Sequence, residues 1–156
     1  MTKSLLSTFL VLTTAGCSVL GAGDTTNNSA GPSESLFKEG RLVDCAKKPN
    51  CVSTQASTPE HAIVPYTYSK PMDEAREALK REMAKIPRAT LIKEDGPYLH
   101  YECRSAVMKF TDDVEFLFNE ETKTLQFRSA SRVGYSDWGV NRKRMEDIRN
   151  KILGHI

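Results

Sequence analysis

The sequence is poor in the residues that announce chemistry. It holds three histidines, His61, His100 and His155. None stands at metal-ligand spacing from a Cys, Asp or Glu, which argues against a zinc centre. No glycine-rich phosphate loop and no C-x-x-C pair occurs. No G-x-S-x-G elbow surrounds Ser129 or Ser131, so neither reads as a nucleophile. His100 and Cys103 lie three apart on an expected strand and project to opposite faces, which argues against a thiolate–imidazole pair. The net charge is only +2, without the clustered positive excess that nucleic acid requires. The apolar run near the N-terminus falls far short of the roughly 20 residues that span a bilayer. No internal repeat is visible. No enzyme class, catalytic residue, cofactor, metal site or nucleic-acid partner is supported by this inventory.

What is present begins with an export signature. Lys3 supplies a short positive start, and Leu5, Leu6, Phe9, Leu10, Val11 and Leu12 form the apolar stretch. Thr14-Ala15-Gly16 gives the small residues needed before a signal-peptidase cut. With Cys17 next, the segment resembles a bacterial lipobox, in which the thiol is acylated, palmitate included, and becomes the new N-terminus. Thr14 stands where such boxes usually carry Leu, and an ordinary cleaved signal is the alternative. Ser18 rather than Asp implies, by the same resemblance, an outer-membrane anchor facing the periplasm. The full bacterial modification attaches several chains and is effectively permanent, whereas one chain anchors marginally.

The domain plan follows from composition. Residues 1–16 read as a signal peptide, 17–35 as a lipidated Cys with a flexible tether, and 36–156 as one domain with one core. The tether, rich in Gly, Ser, Thr and Asn, has almost nothing to bury and holds the domain on the order of 20–25 Å from the membrane. Loss of the signal removes Lys3 and leaves 21 basic against 20 acidic residues. Charge therefore selects no partner.

Cys45 and Cys51 enclose Ala46-Lys47-Lys48-Pro49-Asn50, and Pro-Asn favours the reversal that brings two Cα atoms within bridging distance. In an oxidising compartment that pair is expected to close as a structural disulfide. Cys103 is then unpaired and, lying in an apolar strand pattern, reads as a buried inert thiol.

Residues 36–68 look irregular. Ser69 is placed to cap a helix with Pro71, Asp73 and Glu74 in its first turn, an apolar stripe of Met72, Ala75, Leu79, Met83 and Ile86, and a stop at Pro87. The period then changes to strands. Ala89–Glu94 is the first, and Asp95-Gly96-Pro97 turns into a second from Tyr98 to Cys103, expected to continue through a bulge towards Phe110. Val114, Phe116 and Phe118 give a third strand an apolar face, while Asp112-Asp113 reads as a turn. Glu120 to Lys123 turns into a strand from Leu125 to Arg132. A last helix from about Asp137 to Leu153 aligns Trp138, Met145, Ile148 and Ile152 on one face. The expected fold is α+β, an antiparallel sheet of four to five strands with two helices on one face. Its other face is left either solvated or as a concave binding surface.

One segment is dense in potential binding groups. Arg128, Ala130 and Arg132 project to one side of their strand. Ser136 or Asp137 can cap the last helix, whose N-terminal amides carry partial positive charge. Two strand arginines beside that helix start, with Asn141 and Arg142 nearby, make a candidate site for a phosphate, carboxylate or sulfate. The same arginines also suit a structural network with Asp112, Asp113, Glu115 and Asp137.

Several segments together resemble one family. Leu42-Val43-Asp44-Cys45 to Pro49-Asn50-Cys51-Val52-Ser53, Asp112-Asp113-Val114-Glu115-Phe116 and Arg128-Ser129-Ala130-Ser131-Arg132 look like the domain of unknown function 1499, and Gly134-Tyr135-Ser136-Asp137-Trp138-Gly139-Val140-Asn141-Arg142 fits as well. The resemblance covers about residues 40–154. It implies a bacterial exported or membrane-attached protein, or a plastid-related one, and carries no settled biochemical activity. The expectation is a cell-envelope lipoprotein acting without catalysis, by binding an anionic or lipid-like amphipathic ligand. The alternative is a structural lipoprotein that contacts an envelope protein, its arginines holding only the fold.

Overall fold

The computed structural model describes residues 37, 38, 40–107 and 109–156. The expected signal peptide, Cys17 and the tether lie outside the described residues. A short hairpin, β1 (Phe37–Lys38) and β2 (Arg41–Leu42), precedes a six-stranded sheet. Its strands are β3 (Cys51–Ser53), β4 (Tyr66–Thr67), β5 (Ala89–Asp95), β6 (Tyr98–Arg104), β7 (Thr111–Asn119) and β8 (Thr124–Ser131). The helices are α1 (Met72–Met83) and α2 (Val140–Ile152). The spatial order is β3-β8-β7-β6-β5, all antiparallel, with β4 beside β3 on the same edge of β8. The fold is therefore the expected α+β arrangement. The two added strands come from the segment that looked irregular, because two or three residues cannot display a period.

The alternation across β6, β7 and β8 fills the helix-covered face. Leu99, Tyr101, Val114, Phe116, Phe118, Leu125 and Phe127 meet Ala75, Leu79 and Met83 of α1 and Met145, Ile148 and Ile152 of α2 in one core. The stripe on α1 packs as its spacing predicts, with Met72 and Ile86 at its margin. The helix ends earlier than Pro87, at Met83, and Pro71 rather than Ser69 occupies its N-cap. The bulge lies in β5, between Leu91 and Lys93, and not in a longer β6. Beyond Arg104 the chain closes a loop in which the Ser105 N–H donates to Phe110 O and the Phe110 N–H to Ser105 Oγ.

The disulfide forms as expected, joining Cys45 to Cys51 with Cα atoms 5.7 Å apart. Cys103 is free and buried on the helix-covered face, where burial pushes its thiol up to about 11. Trp138 departs from expectation. It precedes α2 with φ +56°, and 93% of its surface is exposed. Asp112-Asp113 is also no turn. Both are buried inside β7, and their side chains leave by opposite faces.

The second face of the sheet is closed to solvent over its central strands, with β5 left exposed at the edge. Seven consecutive residues of β7, Asp112 to Phe118, are buried. So are six of β6, Tyr98 to Cys103. Leu42 of β2 packs there with Tyr98 and Leu117. Beside it, His100, Glu102, Asp113, Glu115, Arg128 and Arg132 make much of that face ionic. Among the described residues no helix is long and apolar enough to cross a membrane.

Candidate functional site

Strand register assembles the ionic face. His100 stands opposite Glu115, and Glu102 opposite Asp113, between β6 and β7. Glu115 stands opposite Arg128 between β7 and β8. Residues directly across antiparallel strands share a face, so alternate positions of three strands stack ionisable groups in one buried layer. The Arg128 Nη1 donates to Glu115 Oε2 at 2.7 Å, and the Tyr98 hydroxyl donates to Glu115 Oε1 at 2.9 Å. Arg132 grips Asp113 with two bonds, Nε to Oδ2 at 3.0 Å and Nη2 to Oδ1 at 2.7 Å. Its Nη2 also lies 2.7 Å from Glu102 Oε1, whose other oxygen accepts from Arg104 at 3.2 Å.

Burial and pairing act oppositely on these carboxyls. Burial raises Asp113, but His100 and Arg132 together outweigh it and hold the group below the usual range. Asp113 is thus an ionised acceptor, and the His100 Nε2, 2.7 Å away, must carry the proton it donates. For Glu115 burial wins over Arg128 and Tyr98, and its carboxyl is raised. Burial likewise raises the Tyr98 hydroxyl, and the bonds to Asp113 raise Arg132.

On the helix-covered side a second network fixes the start of α2. Asn141 is fully buried, and its Nδ2 donates to Asn50 O and to Ser131 Oγ, each at 3.0 Å. Its Oδ1 accepts from Ser129 Oγ and from Arg144 Nη1, each at 2.6 Å. Arg144 reaches on to Asp112. The Asn50 Nδ2 donates to Gly134 O at 3.0 Å, which ties the disulfide loop to the β8–α2 connection. Gly134 adopts φ +91°, a conformation open to glycine.

The six residues expected to converge on an anion are divided by the sheet. Arg128 and Arg132 engage carboxylates on the ionic face, while Asn141 is enclosed on the other side. Asp137 itself occupies the helix start: its Oδ1 accepts from the Gly139 N–H at 3.0 Å and its Oδ2 from the Asn141 N–H at 2.7 Å. An internal carboxylate therefore sits where an external anion was expected. Ser136 Oγ accepts from the Trp138 N–H at 3.2 Å. Arg142 donates to the backbone carbonyls of Glu60 and Ala62 at 3.1 and 3.0 Å. Among the described residues no group of His, Cys, Asp and Glu is arranged to hold a metal.

What the pattern reading missed is an exposed surface at one end of the sheet. The loop that holds Ser105, Val107 and Phe110 and the loop of residues 132–139 lie side by side there, joined by the Arg132 N–H donating to Thr111 O. They present Val107, Phe110, Val133, Tyr135 and Trp138 to solvent, and Val140 opens α2 beside them. Val107 is 86% exposed and Tyr135 71%. Arg88 joins this end through its carbonyl, which accepts the Arg104 N–H. Arg88, Arg104, Lys109 and Lys143 are all exposed. Of the nearby carboxylates, Asp112 turns to Arg144, Asp113 to Arg132 and Asp137 to backbone amides, while Asp147 is exposed and pairs with Lys143 at 2.9 Å and Glu60 is exposed beside Arg142. Two hollows at this end measure about 220 and 120 Å³, small beside the roughly 300–1,000 Å³ of small-molecule sites.

Residues 41–152 match the profile of a family described as a protein of unknown function, DUF1499. No curated protein matches the chain.

Proposed function

The chain belongs to the DUF1499 family, and from that premise we propose that it is a non-catalytic binding domain of the cell envelope. In this reading Cys17 carries a lipid anchor on the periplasmic side of the outer membrane, and the folded domain engages an anionic, amphipathic ligand. One observation carries the proposal: exposed apolar side chains and exposed cations gather at one end of the sheet, while Asp112 and Asp113 there are turned inward onto arginines. Large apolar groups left in water mark interaction sites. Arg128 and Arg132 belong to the fold in this account, since both satisfy buried carboxylates. Binding falls instead to Tyr135, Trp138 and the cations around them.

Trp138 is the sole tryptophan, so its emission reports on this surface alone. Titration of the full chain with dodecyl phosphate below its micelle concentration tests the proposal. A saturable blue shift is expected, weakened by salt and absent with dodecyl maltoside. No shift, or an equal shift with the neutral detergent, refutes it.

A further inference from the structure

Resting on that reading of the exposed end, we propose that its ligand is the anionic surface of a lipid bilayer, into which the two loops dip. The shape points this way. Val107, Tyr135 and Trp138 are 86%, 71% and 93% exposed, whereas a site for a single small ligand is concave and encloses most of it. Side chains so exposed suit a soft, planar boundary between apolar and polar phases. Trp and Tyr favour that boundary because each has an apolar body and a polar edge.

The charge pattern agrees with the shape. Lys109 lies within one apolar loop, and Arg88 and Arg104 stand at its base. Lys143 lies in the first turn of α2, beside a groove floored by Ile86, Val140 and Ile148. An anionic headgroup layer attracts such residues, each contributing roughly fivefold in partitioning at moderate salt. Most acidic groups that would oppose this are taken up inside the fold, Glu102 by Arg104 and Arg132, Asp113 by Arg132, and Asp137 by the start of α2; Asp147, exposed in the same groove, pairs with Lys143 at 2.9 Å, and Glu60 is exposed beside Arg142. With Arg104 paired to Glu102 and Lys143 to Asp147, the excess positive charge of the outward face rests on Arg88 and Lys109.

The test places the full chain with vesicles of phosphatidylcholine, with and without phosphatidylglycerol, some lipids carrying a spin label high on the acyl chain. Trp138 is expected to shift to the blue and to be quenched by the label in the anionic vesicles, and to stay solvent-like in the neutral ones. Arg88→Gln/Lys109→Gln/Lys143→Gln, checked for native circular dichroism, should weaken the response on the order of 100-fold. An unshifted, unquenched Trp138 in anionic vesicles overturns the bilayer proposal. If dodecyl phosphate still binds, the ligand-binding reading survives without the bilayer; if neither acts, both fall. A shift produced only by delipidated envelope protein would replace the bilayer with a protein partner.

Discussion

Arg128→Ala puts the ionic face to its severest test. The guanidinium is 3% exposed and Glu115 fully buried, with 2.7 Å between donor and acceptor. Truncation removes the charge that balances Glu115 and leaves the carboxylate only the Tyr98 hydroxyl among the bonds described above. Breaking a buried pair in this way costs about 3–5 kcal/mol, a large share of the roughly 5–15 kcal/mol that holds a domain. The melting temperature should fall on the order of 10–20 °C. The loss should also depend on pH. Burial already raises Glu115 in the folded chain. Its contribution is therefore full below the unfolded pKa, about 4.3, and is lost as pH rises through the folded value. Without Arg128 the folded value rises further. The deficit is then greatest above neutrality and shrinks on acidification, as Glu115 takes up a proton. Urea melts followed by far-ultraviolet circular dichroism give the numbers, because Trp138 is too exposed to report on the core. Adding Glu115→Gln should recover part of the loss. A deficit below about 1 kcal/mol, or one unchanged by pH, would refute the reasoning.

Asn141→Ala removes the hub that bonds Asn50, Ser129, Ser131 and Arg144; leaving these groups without it should cost about 3 kcal/mol, read as a lower urea midpoint. Cys103, held up to about 11 by burial, should resist a thiol reagent at neutral pH in the native protein and react fully in denaturant, as peptide mass spectrometry will show.

The elements legible in the sequence were those with enough residues to show a period. Twelve residues of α1 display a stripe at helical spacing, and Val114, Phe116 and Phe118 mark the core face of β7. Cys45 and Cys51 were legible because five residues with Pro-Asn dictate a reversal. Trp138 does not join the helix to which its spacing assigns it, because the backbone at Gly139 is left-handed and the helix begins only after it. The ionic layer did leave a trace: Tyr98, His100 and Glu102, then Asp113 and Glu115, then Arg128, recur at every second position. That trace reads as a solvated face until the register sets cation against carboxylate. The division of the candidate anion residues was hidden for a related reason, since a strand and the helix that follows it can meet on either side of the sheet.

The placing of β3 has a consequence in time. Asn50, just ahead of it, meets Ser131 across 81 residues and Asn141 across 91. A chain that emerges N-terminus first thus exposes this stretch long before its neighbours exist. The Cys45–Cys51 bridge spans a separation of only six and can close as soon as its own loop is free. The rest must wait for β8 and α2, and contacts between such distant parts are the slow ones to form. That edge cannot be completed before β8 and α2, the newest parts of the polypeptide, are available to it.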